Sequence, residues 1–163
     1  MKKSFLIFLL LCYKACCAQT IDETVNYINM QILESTKSVL KFSYFDQITL
    51  TNDGKIIIDT YLPPIKNSIL FESRTCYIKQ LKYSNIQVIE MPDKQIFNIG
   101  LKCIDNTNCI ACQIVSSEGD YVGETVISVY NKDIAIKVNN AVKHLFELSM
   151  KNANFKEKDP FSN

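Results

Sequence analysis

The segment TLTNDGKIII, residues 49–58, is typical of a β-hairpin. Strand-forming residues 49–51 and 55–58 flank Asn52-Asp53-Gly54, and Asp-Gly between two such runs favours a tight turn. Pro63-Pro64 follows and is expected to end the second strand, because proline has no N–H to donate to a sheet. The sequence therefore predicts an antiparallel strand pair in the first half of the chain.

Strand-like segments continue on both sides of this hairpin. Before it, Leu40, Phe42 and Tyr44 alternate with polar residues, which indicates a strand whose apolar face turns toward the core. After it, further β-rich segments lie at residues 74–81, 86–91, 96–103, 110–116 and 122–130. About seven short strands, separated by turn residues such as those at 118–120, predict an antiparallel sheet or barrel.

A helix is predicted on the N-terminal side of the strands. Thr20 followed by Glu23 is a capping box, in which each side chain can bond the backbone N–H of the other residue. An apolar stripe at helical spacing follows over residues 20–35 and contains Ile21, Val25, Ile28 and Ile32. This spacing indicates an amphipathic helix that covers one face of the sheet.

A second helix is predicted at the C-terminal end. From Ile134 onward, apolar residues gather on one side of a helical projection and charged residues on the other, and Asn131 or Asp133 can serve as the N-cap. The polar stretch 152–163 is expected to fray or to lie on the surface. Without an internal repeat or linker, the sequence predicts one domain over residues 19–151.

The order of helix, strands and helix indicates an α+β fold. Seven antiparallel strands closed at one end by a C-terminal helix resemble the pleckstrin-homology-type barrel, here with an additional N-terminal helix. The alternative is an open antiparallel sheet with both helices on one face. Neither architecture by itself indicates a function.

The first eighteen residues have the pattern of a secretory signal peptide. Lys2 and Lys3 precede an apolar stretch at residues 4–13, and small residues lead to Ala18, after which cleavage is expected. Lys14 interrupts the apolar stretch at half the length of about 20 residues that a membrane-spanning helix needs. The sequence therefore predicts export to the periplasm or the medium, with no transmembrane segment in the mature chain.

A lipoprotein is the less favoured alternative. Cys12, Cys16 and Cys17 lie near the expected cut, but the residues before them match a lipidation signal poorly. Cleavage after Ala18 would remove three of the 18 basic residues and no acid, leaving 15 basic against 17 acidic residues. It would also leave four of the seven cysteines, an even number that suits a disulfide-forming compartment.

Both ends of the chain carry a family resemblance. The lysine-led signal ending in Ala-Gln-Thr, the segment IDETVNYINMQI, the late segment AVKHLFEL and the terminal DPF resemble small exported proteins of Bacteroidota-type bacteria. The resemblance implies export. It implies no particular activity, so no functional residue is carried over from it.

Composition narrows the classes of function. A formal charge of +1 gives no basic surplus for nucleic acid. His144 is the single histidine, placed near Lys143 and Glu147 on the polar side of the last helix, which indicates a solvated side chain. The chain contains no G-x-S-x-G nucleophile motif and no glycine-rich phosphate loop. These features favour a binding or structural module, with a protein or an envelope component as a possible ligand.

The cluster Cys103-x5-Cys109-x2-Cys112, with Cys76 upstream, is the strongest chemical signal. Five residues between Cys103 and Cys109 suit a hairpin loop, so a disulfide stapling a hairpin is the favoured interpretation. The alternation of the flanking residues also permits Cys103–Cys112, and sequence alone leaves the pairing open. Cys76 is the fourth disulfide candidate, since four cysteines allow one or two disulfides; the alternative is that it remains a core cysteine.

Two other interpretations of these cysteines are weaker. A four-cysteine zinc site would need a second knuckle, yet Cys76 and Cys103 lie 27 positions apart. A redox pair at Cys109 and Cys112 would need a following helix, whereas β-branched residues follow. An enzyme that uses this thiol pair remains the alternative function.

Paired carboxylates are the other route to catalysis. Glu118 and Asp120 lie in a turn, Asp105 lies beside a loop, and Asp22-Glu23 begins a helix, so each has an ordinary structural explanation. Residues 105–108 offer oxygen ligands but lack the glycine and the glutamate of a calcium loop. No catalytic residue, cofactor or metal ligand is therefore assigned from the sequence.

Overall fold

A computed structural model of the chain describes residues 19–37, 44–62, 68–91, 94–114 and 119–155. Several predictions from the sequence fall outside these ranges. These are the signal peptide at residues 1–18, Leu40 and Phe42 of the first predicted strand, and Pro63-Pro64 at the end of the hairpin. The turn residue Glu118 and the tail residues 156–163 also lie outside them.

The described residues form two long helices, eight strands and one short 3-10 helix. The helices are α1 (Ile21–Thr36) and α2 (Lys132–Lys151), and the 3-10 helix is Ile78–Gln80. The strands are β1 (Phe45–Leu50), β2 (Lys55–Leu62), β3 (Ile69–Tyr77), β4 (Leu81–Met91), β5 (Lys94–Cys103), β6 (Ile110–Ile114), β7 (Asp120–Val122) and β8 (Glu124–Val129). The predicted segment 122–130 is thus two strands, separated at Gly123.

The predicted hairpin is formed by β1 and β2. Leu50 pairs with Ile56, and the turn closes with a 2.9 Å bond from the Thr51 N–H to the Lys55 carbonyl. Gly54 has a φ of +87°, a conformation that other residues adopt with strain, so glycine is required in this turn. Asn52, Asp53 and Gly54 therefore form the hairpin turn that the sequence predicts.

The eight strands are arranged in two antiparallel sheets. One sheet has the order β1-β2-β3-β6-β7, and the other has the order β4-β5-β8. The α+β prediction is confirmed, in the form of sheets: the described strands do not close into a pleckstrin-homology-type barrel. The physical reason lies in β5, whose two edges are already occupied by β4 and β8, so that β6 pairs with β3 instead.

The two helices pack against each other and against both sheets. Helix α1 contacts β1 and β8, whereas α2 contacts β4, β5 and β8. The capping box of α1 is present, with Thr20 and Glu23 bonded at 2.8 and 3.2 Å, and Asn131 caps α2. Between the layers lies a core of fully buried aliphatic side chains that includes Ile28, Ile32, Ile99, Ile127 and Val138.

Two predictions about burial need correction. Tyr44 is 45% exposed rather than in the core, because it precedes β1 and its ring contacts that of Phe71 at the surface in a tilted arrangement. In the stretch expected to lie on the surface, Phe155 is buried, because its ring packs over Gly54, where the absence of a side chain leaves room for it.

Within the described ranges, neither long helix combines the length and the apolar character that crossing a membrane requires.

Candidate functional site

A buried ion pair lies where the two sheets meet. Arg74 on β3 donates from Nη2 to Asp46 Oδ1 on β1 at 2.7 Å, and the two residues are only 8% and 4% exposed. Thr60 on β2 lies between them and hydrogen-bonds to both side chains. Because Arg74 is the single arginine of the chain, its guanidinium supplies a planar donor geometry that no other residue can provide.

The same two side chains bridge to the second sheet. Arg74 Nη1 donates to Thr125 Oγ1 at 2.8 Å and to the Val126 carbonyl at 2.7 Å, both on β8. In the reverse direction, the Ser128 N–H donates to Asp46 Oδ2 at 2.8 Å. The ion pair therefore joins the five-stranded sheet to the three-stranded sheet through charge-assisted hydrogen bonds, which are stronger than neutral ones.

A cleft of about 330 Å³ opens beside this junction, between the two sheets. Its walls combine charged, polar and apolar side chains from six strands, β3 to β8. The residues that matter for its chemistry are Glu72, Arg74, Ser84, Lys102, Cys112 and Glu124. Its size is at the lower end of the range of about 300–1,000 Å³ that ligand pockets occupy.

A β-bulge in β4 places Ser84 in this cleft. The register between β4 and β5 shifts between Tyr83 and Ile86, and bulges re-aim side chains next to functional sites. The Ser84 hydroxyl lies over Gly100 on β5, where an added Cβ would come within 2.0 Å of Ser84 Oγ. A glycine at position 100 is thus what allows the serine to face inward.

Two polar atoms in the cleft wall have no hydrogen-bond partner among the described residues. These are Arg74 Nε and Ser84 Oγ, and both are buried. The closest anion to Arg74 Nε is Glu72 Oε2, at 3.7 Å, which is an electrostatic contact and not a hydrogen bond. Buried polar atoms are nearly always bonded in proteins, so these two atoms are the positions in the cleft wall with hydrogen-bonding capacity left over.

Cys112 faces the same cleft from β6. Its Sγ donates a hydrogen bond to Glu72 Oε1 at 2.8 Å. Burial, followed by the neighbouring Glu72 carboxylate, raises the pKa of the Cys112 thiol to about 11. The thiol is therefore protonated at neutral pH, and it acts as a hydrogen-bond donor rather than as a nucleophile.

The other cysteines of the cluster lie together at one end of the sheets. Cys103 and Cys109 form a disulfide with an S–S distance of 2.10 Å, the first of the two pairings that the sequence allowed. The expected hairpin staple is wrong, because β5 and β6 belong to different sheets and the bond links the sheets instead. Cys76 is buried and lies next to this disulfide, as a core cysteine should.

The remaining candidate residues are not brought together. His144 lies on the surface of α2, with Nδ1 4.0 Å from Glu147 Oε2. Asp105 is exposed in the turn after β5, whereas Asp120, predicted to lie in a turn, is exposed at the start of β7, where it pairs with Cys112. Glu23 is used in the capping box. In the described part of the chain, no group of three or more histidine, cysteine or acidic side chains is arranged to hold a metal ion.

Apart from Cys112, the residues that build the cleft and the junction beside it were missed by sequence reasoning. Asp46 and Arg74 are charged residues inside strand-like segments, which is unusual for positions that face a core. The occurrence of a single arginine, flanked by Ser73 and Thr75 within a β-rich segment, is the signal that could have identified the junction. Nothing local identifies Ser84, because the bulge depends on the pairing of β4 with β5.

Comparison of the chain with protein-family models, with curated proteins and with solved structures finds no match.

The ion pair predicts a large loss of stability when its cation is removed. In Arg74→Met, Asp46 stays buried without its partner, and the free energy of unfolding should fall by about 3–5 kcal/mol. The matched control is Lys102→Met, which breaks the exposed Lys102–Glu124 pair and should cost at most about 1 kcal/mol. Urea denaturation of the variants measures both values, and similar losses would contradict the account.

The environment of Cys112 predicts slow alkylation. Because the thiolate reacts, raising the pKa to about 11 should make iodoacetamide labelling at pH 9 roughly tenfold or more slower than for an ordinary cysteine. The labelling rate should keep rising above pH 9. Glu72→Gln should move the dependence of the rate on pH to lower pH, because it removes a carboxylate that raises the pKa of the thiol. Peptide mass spectrometry measures the rate at Cys112; a plateau near pH 9 in the unaltered protein would show that the thiol is not shielded.

Proposed function

We propose that this protein is an exported, non-catalytic binding module that holds a small polar molecule in the cleft between its two sheets. The observation that carries the proposal is the pair of buried, unpartnered atoms in the cleft wall, Arg74 Nε and Ser84 Oγ. One is a donor, and the other can donate or accept. A bound molecule would satisfy both atoms if it offered a hydrogen-bond acceptor to the Arg74 Nε–H and a donor or acceptor to the Ser84 hydroxyl.

The charges around the cleft disfavour an anionic ligand. Arg74 lies 2.7 Å from Asp46 and 3.7 Å from Glu72, and Lys102 lies 2.6 Å from Glu124, so three carboxylates surround two cations. An anionic ligand would meet this excess of negative charge, which is costly beside a buried ion pair. We therefore expect a neutral polyol or a zwitterion of modest size.

The alternative of an envelope enzyme has weaker support. Cys109, one half of the suggested thiol pair, is bonded to Cys103, and the Cys112 thiol donates to Glu72 instead. Its raised pKa, about 11, removes the thiolate that nucleophilic catalysis needs. The acidic residues Asp105 and Asp120 do not form a facing pair, because Asp105 is exposed in the turn after β5 and Asp120 is exposed at the start of β7.

Export is part of the same proposal. It is supported by the basic start, the apolar stretch at residues 4–13 and the small residues before Gln19, together with the resemblance to exported Bacteroidota-type proteins. The Cys103–Cys109 disulfide also suits an oxidising compartment such as the periplasm.

Expression of the full chain in a bacterial host tests export. We expect the protein outside the cytoplasm with Gln19 as its first residue, because signal peptidase cuts after small residues such as Ala18. N-terminal sequencing of the periplasmic and medium fractions gives the answer. A Lys14→Leu variant, which lengthens the apolar stretch, serves as the control for processing, and an uncut cytoplasmic chain in both cases would contradict the proposal.

Binding is tested by titration of the protein with glucose, glycine and acetate. Glucose or glycine should produce saturable shifts of the backbone amide resonances of Ser84, Gly100 and Thr125, and acetate should not, because carboxylates already outnumber the cations around the cleft. The shifts are measured by two-dimensional NMR. Ser84→Ala should weaken them, whereas Ser68→Ala, outside the cleft lining, should not. No saturable shift with any probe, or equal shifts in the Ser84→Ala variant, would contradict the proposal.

A further inference from the structure

Three sulfur atoms lie in contact where β3, β5 and β6 approach one another. Cys109 Sγ is bonded to Cys103 Sγ and lies 3.4 Å from the Cys76 Sγ, whose thiol donates toward it. Cys76 and Cys103 are 5% and 1% exposed, so packing holds this arrangement. A thiol in contact with a disulfide sulfur is at the distance from which thiol–disulfide exchange begins.

We propose that Cys76, Cys103 and Cys109 form an internal thiol–disulfide exchange site. Cys76 loses its proton and attacks Cys109 Sγ, so that a Cys76–Cys109 bond forms while the Cys103–Cys109 bond breaks. Cys103 leaves as a thiolate and takes up a proton. One disulfide and one thiol are present before and after the step, so it needs no oxidant or reductant.

The surroundings of Cys103 suit a leaving group. The backbone N–H of Cys109 donates to Cys103 Sγ at 3.0 Å, and such a bond stabilises the negative charge that develops on the departing sulfur. On the attacking side, the Cys76 thiol also lies near two oxygens, the Tyr77 carbonyl at 3.4 Å and Gln80 Oε1 at 3.6 Å. These oxygens orient the thiol beside Cys109.

The exchange would move a covalent link from one place in the fold to another. The Cys103–Cys109 bond joins β5 of the three-stranded sheet to the start of β6 in the five-stranded sheet. A Cys76–Cys109 bond would join β3 and β6, which are neighbours within the five-stranded sheet. The domain therefore has two disulfide states, one in which the sheets are covalently linked at this end and one in which they are not.

Cys112 provides an internal comparison for the test. It lies three positions from Cys109 in the sequence, so in an unfolded chain it is the closest thiol to the disulfide. In the folded protein its Sγ instead donates a hydrogen bond to Glu72 Oε1. Exchange directed by the fold should therefore use Cys76, whereas exchange directed by sequence proximity should use Cys112.

The full-length protein, purified without reductant, is incubated at pH 8 either folded or in guanidinium, quenched with acid and digested with pepsin. Mass spectrometry should find the Cys76–Cys109 link about tenfold or more in excess of Cys109–Cys112 in the folded protein, with the order reversed in guanidinium. Folded protein that contains only the Cys103–Cys109 link, or the same ratio in both conditions, would overturn the proposal.

A matched pair of variants separates the two thiols. Folded Cys112→Ser should still form the Cys76–Cys109 link, and folded Cys76→Ser should keep Cys103–Cys109 alone. If Cys76→Ser does not fold, the comparison of the unaltered protein with Cys112→Ser still decides the outcome. Loss of the Cys76–Cys109 link in Cys112→Ser would show that Cys112 mediates the exchange and would overturn the direct attack.

Discussion

The two sheets of this domain meet around the pair formed by Arg74 and Asp46, which is buried and bonded on both sides. Four of the five N–H donors of the guanidinium are matched by Asp46, Thr60, Thr125 and the Val126 carbonyl. An ion pair in a protein interior recovers its desolvation cost only when its remaining hydrogen bonds are satisfied. Here those hydrogen bonds come from Thr60 on β2 of one sheet and from β8 of the other. The hydrogen bonds that stabilise the buried charges are therefore also the ones that hold the two sheets together.

The cleft follows from this arrangement. With its terminal nitrogens committed to the junction, Arg74 leaves Nε for the space between the sheets, and the bulge in β4 brings Ser84 to the same space. Gly100 keeps the space open, because a larger residue would meet the serine hydroxyl. A rigid junction beside a small polar cavity is the arrangement that a preorganised binding site needs.

Features that depend on a few neighbouring residues could be predicted from the sequence. The Asp53-Gly54 turn, the Thr20–Glu23 capping box and the amphipathic helices are of this kind, because turn geometry and helix periodicity are local. The partner of each strand is decided elsewhere in the chain: β6 pairs with β3 because β5 has no open edge. For this reason the cysteine disulfide was expected to staple a hairpin, although it links two sheets.

The central claim is that Asp46 and Arg74 hold the sheets together, and amide hydrogen exchange at Ser128 tests it most directly. The Ser128 N–H donates to Asp46 Oδ2 across the junction. The account predicts that this amide exchanges as slowly as the buried strand amides of Ile99 and Ile127, because it opens only when the domain unfolds. Rapid exchange at Ser128, with those two amides still protected, would show that the sheets separate without unfolding and would contradict the account.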